Sequence, residues 1–324
     1  MASIPTPGWR KIQIPRPLQQ LFDRFPLLTY EPNDLPERSR QLTSSDLPTL
    51  YVFSTDEDAR QGLPSFNPGC LKWQTLLRLA NFTFRVLPST NHASPTGSLP
   101  FLLPPRTSPT TSPLPIPSDK LLAYAIKNSI PDSPAPAPAP DLPLRSQAYL
   151  SLITLSLRNA WLYALYLEPT YAPLLHKLYI CPASSSRAVQ KTLLYQLRRA
   201  AAEQIATSSS STIVSASAVS SAEGIDEEAV YDAAKGALAA LAGLLSQSES
   251  GWAFGAEKPT AFDAALFSYT HLMMEYMGEE DATLEKGRMA LGRMVREAGN
   301  GELARHREKM LAAAWPGWDR KSRT

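Results

Sequence analysis

Hydrophobic positions change period about halfway along the chain. Thr49-Leu-Tyr-Val-Phe53 is a short apolar run of the kind buried strands show. A loop with Gly62 and Pro64 leads to Asn67-Pro68. Asn67 can cap a helix through its side-chain oxygen, and Pro68 fits the first helical position, where its missing N–H costs nothing. Trp73, Leu76, Leu77 and Ala80 then recur at i, i+3, i+4 and i+7, predicting one buried helix face. Phe82-Thr-Phe-Arg-Val-Leu87 alternates as a half-buried strand does. Leu99-Pro100-Phe-Leu-Leu103 predicts a short strand with proline at its start, the place a strand tolerates it. A weak strand fits Leu114-Pro-Ile116, and a helix capped by Ser118 runs on through Leu122, Ala125 and Ile126. The order is β-α-β-β-α.

Beyond residue 144 only helical periods follow. Candidates cover 144–168, 186–206 and about 226–249, 260–277, 282–298 and 301–314. Pro259-Thr260-Ala-Phe-Asp263 opens one of them. Thr260 caps that helix and Asp263 reaches back to the cap, a reciprocal arrangement that defines a start. The segments between carry their own signals. Residues 1–48 hold eight prolines and scattered apolar anchors, among them Trp9, Ile12, Ile14 and Phe22, and predict an extended arm. Fifteen of the 30 prolines fall between Pro88 and Pro143, and 129–143 reads as a semi-rigid polyproline spacer. Eight serines in the 16 residues 207–222 predict a flexible insertion. The expected organisation is therefore an arm (1–48), a small α/β domain (49–128), a linker (129–143), an all-helical domain (144–314) and a basic, aromatic tail (315–324).

Composition narrows the chemistry. The 324 residues are 44% hydrophobic, enough for a packed core, and the net charge of +2 argues against a nucleic-acid binder built on bulk positive charge. Cys70 and Cys181 are the only cysteines, which excludes a disulfide scaffold and a Cys-type zinc site. His92, His176, His271 and His306 stand singly, so no metal site is assigned. No apolar run approaches the ~18 residues a membrane helix needs, and the first residues lack an apolar signal core. Charge is split along the second half. Residues 223–285 hold 13 acids against two lysines, net −11, whereas 286–324 hold ten Lys/Arg against four acids, net +6. Trp315 and Trp318 beside those cations suit a lipid headgroup layer or an acidic partner surface. Packing of the tail on the chain's own acidic helices fits the same numbers.

A β-α-β-β-α half joined by a linker to an all-helical half resembles the glutathione-transferase architecture, an α+β fold with a thioredoxin-like N-terminal domain. Ser98-Leu-Pro-Phe-Leu102 looks like the proline-led third strand of thioredoxin-like domains, which implies a cis Leu99–Pro100 bond. Pro259-Thr-Ala-Phe-Asp263 is similar to the start of the transferases' interior helix, a folding element. The catalytic set is incomplete. Asn67 stands where some classes place a catalytic Ser or Cys, Pro117-Ser118 replaces the usual acidic-or-amide and Ser pair, and Cys70 reads as a small buried core residue.

The closer resemblance is to the metaxin family. Pro68-Gly-Cys70 corresponds to its Pro-x-Cys at the first helix, and Ser94-Pro-Thr-Gly-Ser-Leu-Pro100 to its Ser-Pro-x-Gly-x-Leu-Pro. Within that family, fungal mitochondria hold two subunits of the outer-membrane sorting and assembly machinery, and this 35.5 kDa chain is similar to the smaller, peripheral one. The resemblance implies a non-enzymatic, cofactor-free subunit on the cytosolic face of the mitochondrial outer membrane. Its implied partners are the membrane-embedded β-barrel subunit, a second metaxin-like subunit and β-barrel precursors. Candidate partner or precursor contacts are Trp9, Ile12, Ile14, Phe22, Phe66, Leu99, Trp315 and Trp318. Asn67, Pro68, Pro100, Thr260 and Asp263 are assigned to folding. The alternative is a glutathione-dependent transferase-like enzyme.

Overall fold

The computed structural model describes residues 47–105, 113–128, 144–208, 225–278 and 290–317. The arm anchors Trp9, Ile12, Ile14 and Phe22, the 129–143 linker, most of the serine-rich insertion and Trp318 lie outside the described residues.

Four short strands form one mixed sheet in the order β2-β1-β3-β4: Thr49–Val52 (β1), Arg85–Pro88 (β2), Phe101–Leu103 (β3) and Ile116–Pro117 (β4). β1 runs parallel to β2, with Thr49 opposite Arg85, and antiparallel to β3, with Tyr51 opposite Phe101. The Tyr51 and Phe101 rings stack 4.5 Å apart across that pair. All four residues of β1 are buried, as a central strand covered on both faces requires. The Leu99–Pro100 bond is cis.

Helices Asp56–Gln61 (α1) and Pro68–Leu79 (α2) connect β1 to β2. α1 has no apolar period and buries only Ala59, so its signal is local: Thr55 Oγ1 accepts from the Asp58 N–H, three acids occupy the first turn, and Gly62 ends it at φ 67°. α2 is capped by Asn67, whose Oδ1 accepts from the Cys70 N–H at 3.2 Å. It buries two faces rather than one. Cys70, Leu77 and Ala80 pack with Leu50, Val52 and Leu102 of the sheet, while Leu71 and Leu76 join the helical core. Leu121–Asn128 (α3) closes the first half; a 3₁₀ turn over Ser118–Lys120 precedes it with Pro117 in the cap position, so Ser118 is the first residue of the turn rather than its cap.

The second half contains Leu144–Ser151 (α4), Arg158–Leu162 (α5), Ala172–Leu175 (α6), Arg187–Ser208 (α7), Glu227–Ser246 (α8), Ala261–Tyr276 (α9), Leu291–Glu297 (α10) and Glu302–Ala314 (α11). Wider i→i+5 turns at Leu152–Leu157 and Tyr163–Leu167 interrupt the stretch 144–168 expected to be one α-helix, and a third such turn, His176–Ile180, follows α6. α9 is buried almost all round, from Phe262 to Met274, and packs against α2 of the first half. Gly292 of α10 lies so close to it that a Cβ would sit 2.5 Å from the Met277 carbonyl oxygen.

α8 departs from the expectation about apolar runs. Its 20 residues are long and apolar enough, by length and composition alone, to cross a membrane, because alanines and glycines fill the gaps between its leucines. Half of that window is buried against the helical core, which is what an internal helix also requires.

Candidate functional site

The sequence directs attention to the N-terminus of α2, beside β1 and the cis proline, where the two halves meet. Here the chain's own aromatic side chains fill the space. Tyr179, presented by the His176–Ile180 turn, packs with Phe53 at 5.2 Å and Phe66 at 5.1 Å, and Tyr166 joins at 6.0 Å. Asn67 Nδ2 donates to the Tyr179 hydroxyl at 3.2 Å while its Oδ1 caps α2, so both ends of this side chain are engaged. Burial raises the Tyr179 phenol well above its ordinary range, and its neighbour Tyr166 adds to the effect. Burial likewise pushes the Tyr166 phenol up to about 12. Neither ring is set up to supply a phenolate.

Cys70 is fully buried, and burial pushes its thiol up to about 12, outweighing hydrogen bonds involving Phe53 and Ser65. Such a thiol stays protonated at neutral pH and is a packing group. Phe66, expected as a partner contact, is buried at 4% exposure inside the aromatic cluster. Leu99 packs half-buried on the sheet, and its N–H donates to Asn91 Oδ1 at 3.0 Å. The backbone donor beside the cis proline is therefore occupied.

Trp315 also departs from its expected place. It is 5% exposed, packs in a tilted arrangement against Phe267 with ring centres 6.0 Å apart, and donates its indole N–H to the Gly62 carbonyl oxygen at 3.0 Å. Arg78 lies over its ring at 5.0 Å and bonds the same carbonyl at 2.6 Å. The residue thus joins α11 to the α1–α2 corner. Cations of α11 meet the acidic stretch: Arg307 pairs with Glu275 at 3.4 Å, and Lys309 stands 4.3 Å from the centre of the Trp252 ring. Of the two placements open for this basic region, packing on the chain's own surface describes α11 and Trp315.

Thr260 and Asp263 form the reciprocal cap. Asp263 Oδ2 accepts from the Thr260 N–H at 2.8 Å and hydroxyl at 2.7 Å. Its Oδ1 accepts from the Ala253 N–H at 2.9 Å and lies 3.0 Å from His306 Nε2. Burial works to raise this carboxyl's pKa, but the His306 interaction and the hydrogen bonds from Ala253 and Thr260 outweigh it and hold the group below the ordinary aspartate range. His306, from α11, was not legible as its partner because 43 residues separate them. Among the described residues no cluster of His, Cys, Asp and Glu is arranged to hold a metal ion.

This four-stranded mixed sheet with a helical second half is a glutathione-transferase-like fold. The family described as Glutathione S-transferase N-terminal domain matches residues 68–171. The chain is similar in structure to glutathione transferase GSTFuA3 from Phanerochaete chrysosporium, at 16% identity and a TM-score of 0.53, covering 84% of this chain and 99% of that one. It also matches a Ceriporiopsis subvermispora glutathione S-transferase in complex with glutathione, at 17% identity and a TM-score of 0.45, covering 82% and 98%. No curated protein matches the chain in sequence.

Proposed function

We propose that this chain is a non-enzymatic subunit of the mitochondrial outer-membrane machinery that sorts and assembles β-barrel proteins. It sits peripherally on the cytosolic face, docks on the membrane-embedded barrel subunit beside a second metaxin-like subunit, and helps deliver β-barrel precursors for insertion. It uses no cofactor and binds no nucleic acid. The resemblance of Pro68-Gly-Cys70 and Ser94–Pro100 to the metaxin family supplies the reading, and one structural observation supports it over catalysis. At the N-terminus of α2, where a transferase needs a group that stabilises a thiolate, this chain has an amide bonded to Tyr179, an aromatic cluster and a protonated buried thiol.

With Phe66 and Trp315 inside the fold, the arm carries the docking role, through Trp9, Ile12, Ile14 and Phe22. Purification of the tagged chain from mitochondria in mild detergent is expected to recover an outer-membrane β-barrel and a second metaxin-like chain. Removal of residues 1–46 is expected to abolish that recovery while leaving the melting temperature of the remainder within a few degrees. A cytosolic protein that recovers neither partner refutes the proposal.

The second reading, a glutathione-dependent enzyme, is favoured by the family match over 68–171 and by relatives of this fold solved with glutathione. Turnover of a glutathione conjugation substrate that depends on Asn67 or Cys70 would select it.

A further inference from the structure

Only the second half of α7 is seated in the fold. Ala201, Ala202 and Ile205 are buried, whereas no residue from Arg187 to Ala200 is. The inner side of that first stretch is half-buried through Gln190, Leu193, Leu194, Leu197 and Arg198, and Arg198 Nε donates to the Tyr166 carbonyl at 3.1 Å. The outer side stands clear. Arg187, Lys191, Tyr195 and Arg199 follow one another at four-residue spacing, each advancing about 40° and about 6 Å, so they form one ridge about 18 Å long. All four are exposed, Tyr195 at 51%, and Val189 at 45% borders the same arc.

Charge on this side of the helix has one sign. From His176 to Ala202 the chain holds five Lys or Arg and not one Asp or Glu. Arg199 is engaged with Glu203 at 3.3 Å, but among the described residues no carboxylate pairs with Arg187 or Lys191. Lys177, exposed and likewise unpaired among them, lies on the His176–Ile180 turn that packs against α7. Long cationic side chains reach phosphates while their stems stay with apolar matter, and a tyrosine ring settles at headgroup level. A convex ridge offers no groove to grip a peptide segment, but it lies flat along a surface.

We propose that the exposed ridge of α7, together with Lys177, docks on an anionic phospholipid surface. The helix lies along the headgroup layer, Lys177, Arg187 and Lys191 meet lipid phosphates, and the Tyr195 ring enters the interface beside them. The inference deepens the proposed function, from which it takes the outer membrane as the surface, and adds the face that meets the lipid. Each cation beside an anionic leaflet changes partitioning roughly fivefold. Three cations and one ring hold a chain weakly and reversibly, which suits orienting a subunit that its protein partners anchor.

Flotation of the purified full chain with vesicles tests this, comparing roughly four parts phosphatidylcholine to one of phosphatidylglycerol with phosphatidylcholine alone, at about 0.1 M salt. Binding to the anionic vesicles only is expected. The triple variant Lys177→Gln, Arg187→Gln, Lys191→Gln is expected to weaken it roughly a hundredfold, and each single change roughly fivefold. Tyr195→Ser is expected to weaken vesicle binding while leaving any binding to polyglutamate, a probe for an acidic protein partner, unchanged. All four side chains are exposed, so an unaltered melting temperature reports an intact fold. Undiminished vesicle binding in the triple variant, or its loss instead on replacing Arg320, Lys321 and Arg323 of the tail with Gln, overturns the proposal. Capture by polyglutamate without binding to vesicles assigns the ridge to an acidic protein and overturns it too. Recovery of the β-barrel and metaxin-like partners by a chain that binds no vesicle sinks this inference alone. Vesicle binding by a chain that recovers neither partner sinks the proposed function and leaves the lipid-facing ridge standing.

Discussion

Replacing Asp263 with alanine removes the acceptor for two groups buried in the second half. The Ala253 N–H and His306 Nε2 lie in residues of 0% and 3% exposure, and among the described residues each has its hydrogen-bond partner in Asp263 Oδ1. A buried donor left without an acceptor costs about 1–3 kcal/mol, and a lost helix cap about 1 kcal/mol. The expected loss is therefore at least about 3 kcal/mol, a large share of the 5–15 kcal/mol that holds a typical domain. At roughly 2–4 °C per kcal/mol, the melting temperature falls by about 6–12 °C. Asp263→Asn keeps one oxygen for Ala253 and His306 but sets an NH₂ against the Thr260 N–H, so it is expected to lose less than alanine. Acid supplies a second readout. A carboxyl whose folded pKa is depressed contributes stability that is present above its unfolded value, near 4, and lost as pH falls through the folded value. The gap between wild type and Asp263→Asn is thus expected to hold at pH 6 and to close as pH drops below about 4. Near-UV circular dichroism melts at several pH values measure both effects. An alanine variant within about 2 °C of wild type, or a gap that widens in acid, refutes this account of the network.

Substitutions at three further positions probe the other junctions. Trp315→Ala is expected to cost about 3–5 kcal/mol by emptying the space between Phe267 and Arg78, and Trp315→Phe only about 1–2 kcal/mol, because Arg78 continues to satisfy the Gly62 carbonyl; urea melts followed by fluorescence report both. Gly292→Ala drives a methyl group against the Met277 and Met273 carbonyl oxygens, neither of which is a flexible side-chain end, and is expected to cost 2 kcal/mol or more by the same assay. Tyr179→Ala opens a cavity among Phe53, Phe66 and Tyr166 and is expected to lose about 3–4 kcal/mol. It is expected to gain no glutathione turnover in a conjugation assay, since Cys70 remains a protonated thiol.

Local chemistry made much of this protein legible from its sequence. Asn67-Pro68 marks the start of α2, and Thr260 with Asp263 marks the start of α9, because a cap is completed within three residues and needs no distant partner. The strand positions and the switch to helical periods follow from burial on one or two faces, which leaves its trace in apolar spacing. α1 left none, having a single buried residue, and was missed. Helix 172–180 was missed for another reason: Pro169 and Pro173 suggest a loop, yet each sits in the first turn of its element, where proline is at home. Tertiary structure alone decided the rest. The split of α2 between two cores, the placing of Trp315 against Gly62, the meeting of Asp263 with His306 and the filling of the α2 N-terminus by Tyr179 each join residues tens to hundreds of positions apart. Periodicity reports that a side chain is buried, and only the packing of one element on another reports what it is buried against.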